Sequence, residues 1–168
     1  VTTALRRIAA AALFAATILP AAILPAAILP ANTAFADEAA VRAAAARFYT
    51  ALNATFTGEL APMAAVWSHA DDVTYMGPAG GLRVGWSQVL ADWQAHTAQK
   101  IGGEVQPRDM QVTVGRDLAV TSNVEVGSNI VDGRPQAVTI RATNIFRLED
   151  GHWKMIGHHT DLLPFLEK

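Results

Sequence analysis

The sequence predicts an α+β fold, and three observations carry the prediction. Apolar residues recur at helical spacing only in the first part of the folded region. From residue 104 onward they alternate as they do in strands. That second part is punctuated by Asp132-Gly133 and Asp150-Gly151, dipeptides suited to tight hairpin turns. Helices first and an antiparallel meander after is the pattern of a segregated α+β domain.

The 168-residue chain begins with a stretch that is set aside from the fold. Arg6 and Arg7 form a basic opening, residues 8–19 are an apolar run, and Ala34-Phe35-Ala36 is a small-x-small cleavage signal before Asp37. Residues 1–36 are therefore expected to be a secretory signal peptide. Ile-Leu-Pro-Ala recurs at residues 18, 23 and 28, and prolines at that spacing interrupt a membrane helix. The length of the apolar stretch keeps an uncleaved anchor as the competing reading. The paired arginines permit twin-arginine export as well as the general route. The expected product is a single exported domain, residues 37–168, periplasmic or secreted and free of the membrane after cleavage.

All fifteen acidic residues lie in that part but only eleven of the thirteen basic ones, leaving a net charge of −4. A mildly acidic domain without a basic run argues against nucleic acid or an anionic membrane as partner. There is no cysteine, so thiol catalysis, thiolate metal sites and a lipobox anchor are excluded.

The elements follow in order. Val41, Ala45, Phe48 and Leu52 mark a helix over 38–54, broken by Thr57-Gly58. Met63, Val66 and Trp67 mark a shorter one over 59–67. Asp71-Asp72 lead into a strand over 73–76, stopped by Gly77-Pro78. After the Gly80-Gly81 loop, Val89, Leu90 and Trp93 give a third helix over 86–97. Met110, Val112 and Val114 alternate, Gly115-Arg116-Asp117 turns, and alternation resumes over 118–126 before Asp132-Gly133. Val138, Ile140, Ala142, Asn144, Phe146 and Leu148 form one face of a long strand, with Thr139, Arg141, Thr143 and Arg147 opposite. Residues 152–160, read HWKMIGHHT, return as the last strand.

Asn144 breaks an otherwise apolar face. A buried carboxamide left without partners costs about 1–3 kcal/mol, so it needs either a ligand or a neighbouring side chain. His158 and His159 are adjacent on a strand and point to opposite faces. A two-residue Asp150-Gly151 loop puts Trp153, Met155 and His159 on the Asn144 face. A type I turn with Gly151 as a bulge puts Ile156, His158 and Thr160 there instead.

Four segments, in order, carry a family resemblance. They are Arg47 to Asn53, Trp67 to Pro78, the Gly80-Gly81 and Gly85-Trp86 stretch, and the final hairpin. Together the chain resembles the SnoaL-like family of the nuclear transport factor 2-like superfamily over about residues 40–166. The resemblance implies a cone-shaped roll, a curved antiparallel sheet wrapped around three N-terminal helices, with an internal pocket. It also favours the bulged turn, which puts Asn144, His158 and Thr160 inside and leaves His159 and Trp153 on the outer face as a subunit contact. A homodimer through that face is the expected assembly.

Ketosteroid isomerases of this superfamily combine an aspartate base with a tyrosine and a protonated acid. Alignment on the same segments puts Phe48 at the tyrosine position, with Tyr49 adjacent, Gly77 at the base and Asn144 at the acid. The base is missing, so steroid isomerisation by that route is not expected. Asp71 and Asp72 are read as caps or solvent-facing, and Asp161 as a rim residue or a partner for an imidazole. Glu125, Asn123 and Arg141 are read as facing solvent or a partner subunit, and His69 and His96 as exposed. No histidine pair has helical metal-ligand spacing, and no cofactor motif is present. Trp67, Tyr75, Trp86 and Trp93 are either core or an aromatic pocket lining.

The functional expectation is a domain that binds a small apolar molecule through Asn144, Thr160, Tyr49, Phe48, Tyr75 and Trp67. As an enzyme it would use His158 as the acid–base group on a carbonyl or hydroxyl. The rival is a dimeric assembly module without ligand.

Overall fold

The structure is a computed structural model that describes residues 38–161. The leader expected over residues 1–36 lies outside the described residues.

Helix α1, Glu38–Thr57, runs three residues past the expected end and buries Val41, Ala45, Phe48 and Leu52 on one side. Gly58, with φ of 99°, terminates it. Helix α2, Ala61–Val66, has proline in its first turn and buries Met63. Strand β1, Thr74–Met76, pairs with β2, Arg83–Val84, a two-residue strand too short to leave a periodic signal. Helix α3, Trp86–Gln99, buries Val89, Trp93 and Thr97. Four long strands follow: β3 Glu104–Val114, β4 Leu118–Val131, β5 Arg134–Glu149 and β6 His152–Asp161.

The sheet order is β2-β1-β6-β5-β4-β3. Every pairing is antiparallel except that of β1 with β6. The sheet is curved and unclosed. Its inner face contributes Ala119, Phe146, Trp153 and Met155 to one core with Phe48 and Tyr49 of α1, Met63 of α2, and Val89 and Trp93 of α3. This is the expected α+β cone.

Two structural details correct the sequence reading. Asp150 and Gly151 both have positive φ, 49° and 78°, and Glu149 pairs directly with His152. The turn is therefore the two-residue type whose twist matches the flanking strands, and Gly151 is not a bulge. Trp153 consequently faces inward and is buried, not on the outer face. The bulge comes later, where Phe146 pairs with Met155 but Ile145 pairs with Gly157, leaving Ile156 as the extra residue. There the other neighbour of β6 changes from Trp67, which bridges Met155, to β1, which begins at Gly157. The bulge reverses the facing, so His158 and Thr160 are buried and His159 is exposed.

Candidate functional site

Strand β4 sets one wall of the site, with its polar residues facing inward. The tight Asp132-Gly133 turn pairs Val131 with Arg134, and counting back pairs Asn123 with Ala142 and Thr121 with Asn144. Thr121, Asn123 and Glu125 are all buried, while Leu118 and Val120 are exposed. This overturns the expectation that Asn123 and Glu125 face solvent. Arg141 does face outward, paired with Asp161 at 2.7 Å, so Asp161 holds a guanidinium and not an imidazole.

The buried side chains form one chain of hydrogen bonds, joined where Asn144 Nδ2 donates to the Tyr49 hydroxyl at 3.5 Å. Asn123 Nδ2 donates to the Tyr49 hydroxyl at 2.8 Å. Tyr49 donates to Glu125 Oε1 at 3.1 Å. Asn144 Nδ2 donates to Thr121 Oγ1 at 3.1 Å, so its carbonyl oxygen accepts from His158 Nδ1–H at 2.6 Å. That bond fixes the neutral imidazole with its lone pair on Nε2. His158 Nε2 lies 4.0 Å from Glu125 Oε1, too far for a direct hydrogen bond.

Burial sets the protonation of the pair. It raises the Glu125 carboxyl to about 7, against the smaller opposing effect of the Tyr49 hydrogen bond. Burial, with a smaller contribution from His159, lowers His158 to about 3. Tyr49 is pushed well above the ordinary phenol range, by burial first and by Glu125 second, and remains a donor. Below about pH 7 the pair holds one titrating proton, on the carboxyl.

Glu125 and His158 both line a cavity of about 130 Å³. Its apolar wall comes from Leu52, Phe56, Ile101, Val105, Val138 and Ile140, and Tyr75, Trp93 and His96 complete it. Tyr75, Pro78 and His96 also line an outer vestibule against α3, so the cavity opens between β1 and α3. Of the residues expected to bind ligand, His158, Thr160 and Tyr75 line the cavity. Asn144 and Tyr49 stand directly behind it, holding His158 and Glu125. Phe48 packs on His158 at a ring distance of 4.8 Å, and Trp67 packs against Tyr75 and Trp93, both deeper in the core. A Cβ at Gly77 would collide with the Tyr75 hydroxyl, so the expected absence of a base there has a steric reason.

His69 is exposed and stacks on Trp86, whereas His96 is half-buried and stacks on Trp93, against the expected exposure. Asp72 is exposed and pairs with Arg147 at 2.7 Å, tying the loop before β1 to β5.

A family description for the SnoaL-like domain matches residues 41–162, and the chain belongs to that family. A candidate calcium/calmodulin-dependent protein kinase type II association domain from Thiobacillus denitrificans is 28% identical, with a TM-score of 0.63 over 73% of this chain and 94% of that one. A candidate dehydratase from the NTF2-like family of Streptomyces avermitilis superposes with a TM-score of 0.68 at 24% identity, over 76% of this chain and 96% of that one. The F-box protein SKIP8 of Arabidopsis thaliana is 29% identical over 105 residues, 62% of this chain, which spans 42% of that protein. The fold is the one shared with the NTF2-like family.

Proposed function

We propose that the domain binds a small, largely apolar molecule in the cavity and shifts a proton on it through Glu125 and His158. The observation that carries this reading is two buried titratable groups, 4.0 Å apart, on the wall of one cavity. Glu125 gives its proton to a carbonyl oxygen while the lone pair of His158 Nε2 takes one from the adjacent carbon, forming the enol. The resulting carboxylate and imidazolium neutralise each other. With a β,γ-unsaturated ketone that enol is a dienol, and return of a proton from His158 to its far γ carbon, with the enol proton going back to Glu125, completes an isomerisation without any co-reactant. Asn144 holds the imidazole in the required tautomer, and Tyr49 steadies the carboxylate as it forms.

The test is deuterium uptake from D2O into a small cyclic enone such as 2-cyclohexenone, followed by NMR. His158→Ala is expected to lower the rate at least tenfold, and His159→Ala, on the exposed side, to leave it within about twofold. Uptake that ignores His158 would defeat this reading.

A second observation favours pairing with another copy of the chain. Leu118 and Val120 are 47% and 36% exposed on the outer face of β4, and the half-buried Ile145 lies opposite Val120 on β5. This basis replaces Trp153, which is buried. The similarity to a candidate association domain is consistent with it. Light scattering at micromolar concentration is expected to give twice the chain mass, and Val120→Glu to halve it. A monomeric wild type would remove the proposal.

A further inference from the structure

We infer that the ligand of this cavity is a neutral, single-ring enol or phenol whose hydroxyl bridges Glu125 and His158. The inference rests on the proposed function above: an enol is the hydroxyl tautomer of its ketone substrate, and a phenol is the stable form of that tautomer. Size gives the first argument. A cavity of about 150 Å³ holds a benzene ring, and this one measures about 130 Å³. One ring fits and four fused rings do not. A narrow substituent can pass between Tyr75 and His96 into the vestibule.

The polar end gives the second argument. The neutral carboxyl of Glu125 is a donor, and His158 Nε2 is an acceptor because Nδ1–H is committed to Asn144. An oxygen about 2.8 Å from each spans their 4.0 Å separation at an angle of about 90°, bent from the ideal but within the broad directions that hydroxyl oxygens accept. A hydroxyl satisfies both partners. A ketone oxygen accepts from Glu125 and leaves Nε2 free to take the C–H proton, so it is held less tightly than the hydroxyl form, and a carboxylate would carry an unpaired charge into the apolar cavity.

Two orphaned groups point to a ligand independently. Among the described residues, Thr160 Oγ1 and Trp93 Nε1 are buried without partners, and both residues line the cavity. Thr160 sits two residues from His158 on the same strand face, where its hydroxyl can meet the same ligand oxygen. Trp93 and Tyr75, with ring centroids 4.9 Å apart, supply an aromatic wall for the ring.

The test is a set of titrations on the full folded domain, read by tryptophan fluorescence. The probes are 4-methylphenol, toluene, 4-methylbenzoate and a four-ring phenolic steroid. 4-Methylphenol is expected to bind, with toluene and 4-methylbenzoate at least tenfold weaker and the steroid excluded. His158→Phe, which keeps the packing but not the acceptor, is expected to bring 4-methylphenol down to the level of toluene. Toluene binding as tightly as 4-methylphenol would overturn the hydroxyl bridge. Steroid binding that is lost in His158→Phe would overturn the single-ring class while leaving the proposed function standing. Silence from all four probes would overturn both.

Discussion

Replacing Trp93 by alanine is expected to destabilise the domain by about 3–5 kcal/mol, the range for deleting a large aromatic side chain from a close-packed core. Trp93 is 1% exposed and sits where five other aromatic groups of the site converge. Its ring lies 4.9 Å from Tyr75, 5.7 Å from His96 in a near-parallel stack, and 6.4 to 6.5 Å from Phe48, Trp67 and His158. No single neighbour can move in to refill the space, because Phe48 and Trp67 are held from behind by α1 and β6. Against a total stability of about 5–15 kcal/mol for an ordinary domain, a loss of that size is a large fraction. Urea titration measures it as a lower midpoint at unchanged slope. Trp86→Ala is the matched control, since Trp86 is half-buried at the edge of the core and stacks on exposed His69. Its loss should stay near 1 kcal/mol or less. A Trp93→Ala change no larger than the control would show that the core relaxes around the gap.

The fold was legible because each local signal agreed with the final topology. Val41, Ala45, Phe48 and Leu52 bury as the helical period requires, and the two Asp-Gly turns fall where the alternation pauses. β2 escaped notice because two residues carry no period.

The site was legible on β5 and β6 but not on β4. Asn144 stood out as a polar residue on an apolar face, and its partners proved to be protein groups, His158 and Thr121. Glu125 was missed because β4 inverts the usual rule. Its apolar alternate positions, Leu118 and Val120, face outward, while Thr121, Asn123 and Glu125 face inward. Hydrophobicity reads such a strand backwards wherever the inner face lines a polar site. Turn counting does not: the Asp132-Gly133 loop alone pairs Thr121 with Asn144, which places the polar residues inside. The inward facing of His158 was expected from a bulge at Gly151, but it arises from a bulge at Ile156. A tight turn and a later bulge together give the same parity at residue 158 and the opposite parity at Trp153. Only the identity of the neighbouring strand, Trp67 giving way to β1, locates that switch, and one strand's sequence does not contain it.

Glu125→Gln is expected to stabilise the domain while abolishing proton transfer. The native carboxyl keeps its proton up to about 7, whereas in the unfolded chain it ionises at its ordinary value of 4.5. Between those values the unfolded state releases the proton first, so the wild type loses stability as pH rises from 4.5 to 7. The loss reaches about 3 kcal/mol at higher pH. Glutamine keeps the shape of the carboxyl, retains an oxygen to accept from the Tyr49 hydroxyl, and never ionises. The variant should therefore match the wild type at pH 4 and exceed it by about 3 kcal/mol at pH 8. His158 acts in the opposite direction, since its value falls from 6.5 to about 3 and stability is lost as pH drops through that window. That dependence is common to both proteins and largely cancels in the difference. Urea titrations at pH 4 and pH 8 measure the effect. A variant no more stable than the wild type at pH 8 would mean that Glu125 ionises in the folded protein at its ordinary value. In that case it could not serve as the proton donor of the pair. Paired with loss of deuterium exchange, the expected gain would show a carboxyl retained for chemistry at the expense of stability.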